Sequence, residues 1–138
     1  MIQLIAGPRG AGKTKQMLAA LNVAVEKESG SVVCVELDDS LRFDVNHQVR
    51  LIEYHAYGLK TVEELKAFIS GLHAGNFDIS HIFIKSVHRL INSEDLNVLG
   101  EFFDWCNAFG ATHGLNFTLT ARLDSEEIPA SIRRYMCE

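Results

Sequence analysis

Along the chain, short runs of consecutive apolar residues alternate with longer stretches in which apolar positions recur every three or four residues. Ile2, Leu4, Ile5 and Ala6 form the first run and end at Gly7 and Pro8, the profile of a buried strand entering a turn. Over 14–28, Met17, Leu18, Leu21 and Val25 fall at helical spacing, and Gly30 lies just past the end, where a left-handed cap is expected. The β-branched run 31–37 predicts a second buried strand, closing in Asp38 and Asp39. Alternation over 50–57 predicts a third strand, at a sheet edge, although Glu53 and His55 interrupt the pattern. Thr61 stands three residues before Glu64, a capping-box spacing, and opens a helix through Leu65, Phe68, Ile69 and Leu72 that stops at Gly75. A fourth strand is read over 81–85. An amphipathic helix follows over 93–109, with Leu96, Leu99, Phe102, Phe103, Cys106 and Phe109 on one face. A fifth strand over 116–121 precedes a loop and a short helix opened by Pro129.

Strands separated by helices need crossovers, and right-handed crossovers build a parallel sheet covered on both faces. The predicted fold is therefore α/β: a three-layer sandwich with a mostly parallel five-stranded sheet and helices on both sides. Ligands of such sheets bind at the C-terminal strand ends. A length of 138 residues matches one domain, 1–138, and leaves no room for a second. With 47% hydrophobic and 22% charged residues the chain can pack a core, which excludes disorder and coiled-coil architectures.

A net charge of −5 disfavours a nucleic-acid backbone or an anionic membrane as the main partner, since both require a basic face. The longest stretch without Asp, Glu, Lys or Arg, 105–121, is broken by Asn, Thr, His and Gly, so no membrane span is expected. The start of the chain lacks a basic segment ahead of its apolar run, which points to a cytoplasmic protein. Cys34, Cys106 and Cys137 are odd in number and have no CxxC spacing, so they read as idle thiols rather than a disulfide or zinc framework.

One segment carries chemistry. Gly7, Pro8, Arg9, Gly10, Ala11, Gly12, Lys13 and Thr14 fit G-x-x-x-x-G-K-[ST], between a buried strand and an amphipathic helix as the mechanism requires. From average residue usage, a chance match in a chain of this length has a probability of about half a percent. The glycines let successive N–H groups converge on phosphate oxygens at the positive end of a helix. Lys13 brings a mobile charge to the β- and γ-phosphates, Lys15 lies next to the loop, and the Thr14 hydroxyl is a hard oxygen donor for Mg²⁺. The expected cofactors are ATP or ADP, with Mg²⁺. ATP is preferred to GTP because no N-K-x-D motif is present.

On these residues the chain resembles the P-loop NTPase superfamily, RecA-like type, over nearly its whole length. It also resembles a group of short bacterial P-loop proteins described as ATP-binding or, loosely, as motility-type ATPases. The resemblance implies a second apolar strand ending in a carboxylate that holds the magnesium and its water; the corresponding Ile82, Phe83 and Ile84 end instead in Lys85. It implies a catalytic carboxylate after the second strand, where this chain has Asp38, with Glu36 and Asp39 close by. It also implies a polar residue ending the next strand, where Thr118, Thr120 and Arg122 stand.

Lys85 admits three readings: a positive charge near the phosphates replacing the metal, an ion pair with Asp38 or Glu36, or a site whose carboxylate comes from another strand end. Arg9 is a candidate phosphate contact, and Arg122, Arg133 and Arg134 are candidate arginine fingers in cis or across a subunit interface, though such arginines are more often solvated or ion-paired. His47, His55, His73, His81, His88 and His113 lack metal-ligand spacing. The functional expectation is an ATP-binding protein with weak ATPase activity, in which Lys13, Asp38 and Glu36 are the catalytic candidates. The alternative is a non-hydrolysing nucleotide-dependent switch acting on a protein partner or a second copy. A small-molecule kinase ranks third, since 138 residues leave little for an acceptor pocket and a lid.

Overall fold

A computed structural model describes residues 1–38, 40–124, 126 and 128–136. Asp39 and Cys137, both singled out above, lie outside the described residues.

The strands are β1 (Ile2–Gly7), β2 (Ser31–Glu36), β3 (Arg50–Glu53), β4 (Ile79–Ile84) and β5 (Asn116–Arg122), in one parallel sheet ordered β1-β5-β4-β2-β3. The helices are α1 (Lys13–Lys27), α2 (Val62–Gly75), α3 (Val87–Leu90), α4 (Leu96–His113) and α5 (Ala130–Arg133). Side chains alternate across each strand, and this period of two divides the core. Leu4, Val33, Val35, Ile82, Ile84, Phe117 and Leu119 pack towards Leu65, Ile69, Phe102, Phe103 and Ile132 of α2, α4 and α5. Ile5, Val32, Cys34 and Phe83 face the other way, onto Met17, Leu21 and Ala24 of α1 and onto Leu41 and Val49. The expected α/β fold with helices on both faces is what forms, and its sheet is wholly parallel.

Three local expectations are corrected. The third strand stops at Glu53; Tyr54–Tyr57 turn into a 3-10 helix closed by Gly58 at φ +68°. Tyr54 is thereby fully buried, edge-on against Phe68 at 5.8 Å, so burying one large ring outweighs extending an edge strand. Gly30 is not a left-handed cap: α1 is capped by Glu28 in an extended conformation. Gly30 is required for close approach instead, because a Cβ there would lie 2.5 Å from the Asp78 carbonyl oxygen. The long helix begins at Leu96 rather than at 93, because the Asp95 side chain caps it, and it runs on to His113 before Gly114 turns left-handed. The capping box at Thr61 and Glu64 is present.

Candidate phosphate-binding site

The register brings the C-terminal strand ends into one row. Gly7 of β1 pairs with Arg122 of β5, and the Leu123 amide donates to the Gly7 carbonyl at 3.1 Å. Val35 of β2 pairs with Ile84 of β4, so the residues that follow, Glu36 and Lys85, stand side by side.

The loop after β1 turns on Gly10 and Gly12, with φ of +86° and +84°, backbone that side-chain-bearing residues adopt at a cost of about 1–2 kcal/mol. Gly12 is the N-cap of α1, and no side chain caps that helix end; its first turn also carries no acidic residue. Thr61 and Asp95 cap α2 and α4 with their side chains, so α1 alone among the three long helices keeps its first-turn amides free of a side-chain acceptor. Those amides and the helix dipole are available to an anion. The Lys13 ammonium donates to the Pro8 carbonyl at 2.8 Å and so lies folded over the loop. Partial burial, and next the charge of Arg122, hold its pKa below the ordinary lysine value.

A cavity of about 1060 Å³ opens over this loop. Among the described residues its charged lining is one-sided: the cations Arg9, Lys13, Lys15, Lys85, Arg89 and Arg122 face a single carboxylate, Asp44. Gly10, Gly12, Thr14, Leu18, Leu41, Ser86 and His88 complete the wall. A chain of net charge −5 has thus gathered six cations at one opening, which is a field for a polyanion. His88 is held towards its neutral form by burial, with Lys13, Arg89 and Arg122 adding to the effect against Glu94. Its Nδ1 accepts the Arg122 amide at 3.1 Å, so the ring braces the end of β5. Ser86 takes a left-handed φ of 54°, and its amide donates to the Thr120 hydroxyl at 2.7 Å, which fixes the turn that presents Lys85.

Of the residues singled out in the sequence, Arg9, Gly10, Gly12, Lys13, Thr14, Lys15, Lys85 and Arg122 meet at this cavity. Gly7, Pro8 and Ala11 form the loop behind it. Glu36 and Asp38 are not among its lining residues. Glu36 is buried at 1% exposure, accepting from the Ser40 hydroxyl at 2.5 Å, the Leu41 amide at 3.1 Å and the Lys85 ammonium at 3.4 Å. Asp38 is exposed and accepts from the Ser40 amide at 3.0 Å. That bond first, then the nearby Lys85 and Arg89, lowers its pKa below the ordinary carboxylate value. Arg134 pairs with Asp104 at 2.6 Å and Arg133 donates to the Ile128 carbonyl at 3.3 Å, neither at the cavity. Asp44, Arg89, Ser86 and His88 were not singled out as site residues, because nothing in their local pattern marks a wall built by distant strand ends.

Mg²⁺ takes hard oxygen donors, preferably with a carboxylate among them. Thr14 and Ser86 offer hydroxyls and Asp44 a carboxylate, but the end of β4 carries an ammonium, and cations surround the loop. Among the described residues this donor set does not fit a resident magnesium ion.

No protein-family model matches the chain, and no curated protein matches it. Among solved structures, the flagellar accessory protein FlaH from Methanocaldococcus jannaschii has a similar fold, with a TM-score of 0.54 at 17% sequence identity. The match covers 96% of this chain and 65% of that one, so the chain spans about two thirds of the length of FlaH. At this identity the likeness concerns the fold alone: a parallel α/β sheet with helices on both faces. Among the described residues, no helix is long and apolar enough to cross a membrane.

Proposed function

We propose that the protein binds a nucleoside di- or triphosphate, ATP or ADP, by its phosphates at the loop formed by residues 7–14, and that it turns ATP over slowly. One observation carries this reading: the N-terminus of α1, which has no side-chain cap and is entered through two left-handed glycines, opens into a cavity lined, among the described residues, by six cations and one carboxylate. Within it, Lys13 leaves Pro8 for the β- and γ-phosphates, and Lys85 supplies charge where a metal would otherwise sit. Asp38 is the better candidate to orient water, because it is exposed, whereas Glu36 is buried with both oxygens engaged by Ser40, Leu41 and Lys85. Without an aligned metal-holding carboxylate, phosphoryl transfer loses one of its main electrostatic supports, so turnover is weak.

A second reading, a non-hydrolysing switch for a protein partner or a second copy, is favoured by the Lys85–Glu36 pair, which links the cavity to the segment after β2. Nucleic acid is disfavoured, since the cations converge on one opening in an acidic chain instead of forming a stripe. The test is isothermal titration with ATP, ADP and GTP, in Mg²⁺ and again in EDTA. Binding of adenine nucleotides that survives EDTA is the expected result. Absence of heat for every nucleotide would refute the proposal, and strict dependence on Mg²⁺ would refute the role given to Lys85.

A further inference from the structure

Glu36 cannot serve all its partners equally. Its Oε1 is shared between the Ser40 hydroxyl at 2.5 Å and the Lys85 ammonium at 3.4 Å, while Oε2 accepts the Leu41 amide at 3.1 Å. Lys85 lines the cavity and Glu36 does not, so a phosphate in the cavity competes with Glu36 for one ammonium. Ser40 and Leu41 begin a tight turn, in which the amides of Asp44 and Val45 both donate to the Leu41 carbonyl, at 2.9 and 3.1 Å. Leu41 is buried and lines the cavity, Asp44 lines it too, and Phe43 between them is 86% exposed.

We propose that the Lys85–Glu36 pair senses phosphate occupancy and passes it to residues 40–45; this rests on the nucleotide reading above. When Lys85 turns to a phosphate, the buried Glu36 carboxylate loses its longest contact. Its charge then falls on the Ser40 hydroxyl and the Leu41 amide, and bonds to an ionised acceptor strengthen when a competing cation leaves. Occupancy therefore tightens the turn and changes how it presents Phe43.

The test uses a Phe43→Trp reporter, titrated with ADP and ATP in EDTA by calorimetry and by tryptophan anisotropy. The native Trp105 packs with the core on the opposite face of the sheet from Leu41, so the protein with Phe43 intact gives the background. A saturable rise in anisotropy whose midpoint matches the calorimetric affinity is expected. Glu36→Gln in the reporter frees Lys85, so affinity tightens severalfold while the anisotropy response disappears. Lys85→Met loses the response too, with affinity weakened by about tenfold or more, the loss of one charged hydrogen bond. A passive ion pair would move neither affinity nor response in this pattern. Binding with no anisotropy change in the reporter, or a change that persists in both variants, overturns the proposal. No binding by the reporter or the native protein overturns the nucleotide reading beneath it. Should Glu36→Gln not fold, amide exchange at Leu41 in the native protein decides the matter: slowing with nucleotide supports the relay, and an unchanged rate despite binding refutes it.

Discussion

Lys13→Ala removes the one side chain that the site reading cannot do without. In the free protein the ammonium donates to the Pro8 carbonyl at 2.8 Å. Binding a triphosphate exchanges that bond for contacts with two phosphate oxygens, one each on the β- and γ-groups. A hydrogen bond involving a charged group contributes about 1.5–3 kcal/mol. Two gained and one given up leave a net of about 1.5–3 kcal/mol, or about 10- to 150-fold in affinity. The variant also lacks one charge of the six at the cavity, so its affinity should fall less steeply as salt is added. Folding is a separate matter, because Lys13 opens α1 from a half-exposed position and alanine is a good helix former. The thermal midpoint should therefore move by no more than about 2 °C. Calorimetry of both proteins in EDTA at two salt concentrations measures the effect. An affinity within twofold of the native value, in a variant with an unchanged melt, would refute the argument that this loop holds phosphate.

Thr120→Val leaves the half-buried turn at Ser86 without its acceptor, a loss of about 1–2 kcal/mol, read as a fall of about 3–6 °C in the thermal midpoint. Gly30→Ala should destabilise by about 1–3 kcal/mol, because its Cβ would meet the Asp78 carbonyl. Gly71→Ala, in the interior of α2 with nothing within 4 Å of its Cβ, should stabilise by about 0.5–1 kcal/mol; equal melts for the two variants would contradict the packing described. His81 is held between Glu28 at 2.6 Å and Thr118 at 2.8 Å, and burial lowers its pKa in spite of Glu28. The folded protein thus keeps this ring neutral to lower pH than the unfolded chain does. Stability is unaffected by it above about pH 6.5 and declines as pH falls from there to the folded pKa, by at most about 1.4 kcal/mol per unit. Urea unfolding at pH 7.5, 6.5 and 5.5 measures the decline, which His81→Gln should reduce; an equal decline in that variant would exclude His81 as its source.

Periodicity made the sheet legible because each strand's alternation and each helix's apolar stripe are local properties of the sequence. The loop was legible for the same reason: Gly7 to Thr14 is one contiguous string whose chemistry requires its spacing. What escaped is what pairing decides. Gly30 reads as a cap until β4 passes close enough for the Asp78 oxygen to exclude a Cβ. The alternation through Tyr54 reads as strand until Phe68, fourteen positions on, gives its ring somewhere to go. His81 gives no sign that Glu28 and Thr118 will enclose it, since they come from α1's end and from β5.

The same distinction explains why Lys85 could be noticed but not interpreted from sequence. Its departure from the pattern of the family that the loop resembles is local and visible, whereas its partner depends on β4 lying next to β2 instead of beside β1. With β5 between β1 and β4, Arg122 becomes the neighbour of the loop and Lys85 that of Glu36, and the two cations reach one cavity from different strands. A parallel sheet points all its C-terminal ends the same way, so cations that look isolated along the chain are summed there into one field. Reordering the strands with every element intact would scatter that field. The electrostatic case for a polyanionic ligand is therefore a property of the topology, while the geometric case for phosphate belongs to the loop. That the two arise independently and meet at one opening is the strongest physical reason to read it as a nucleotide site.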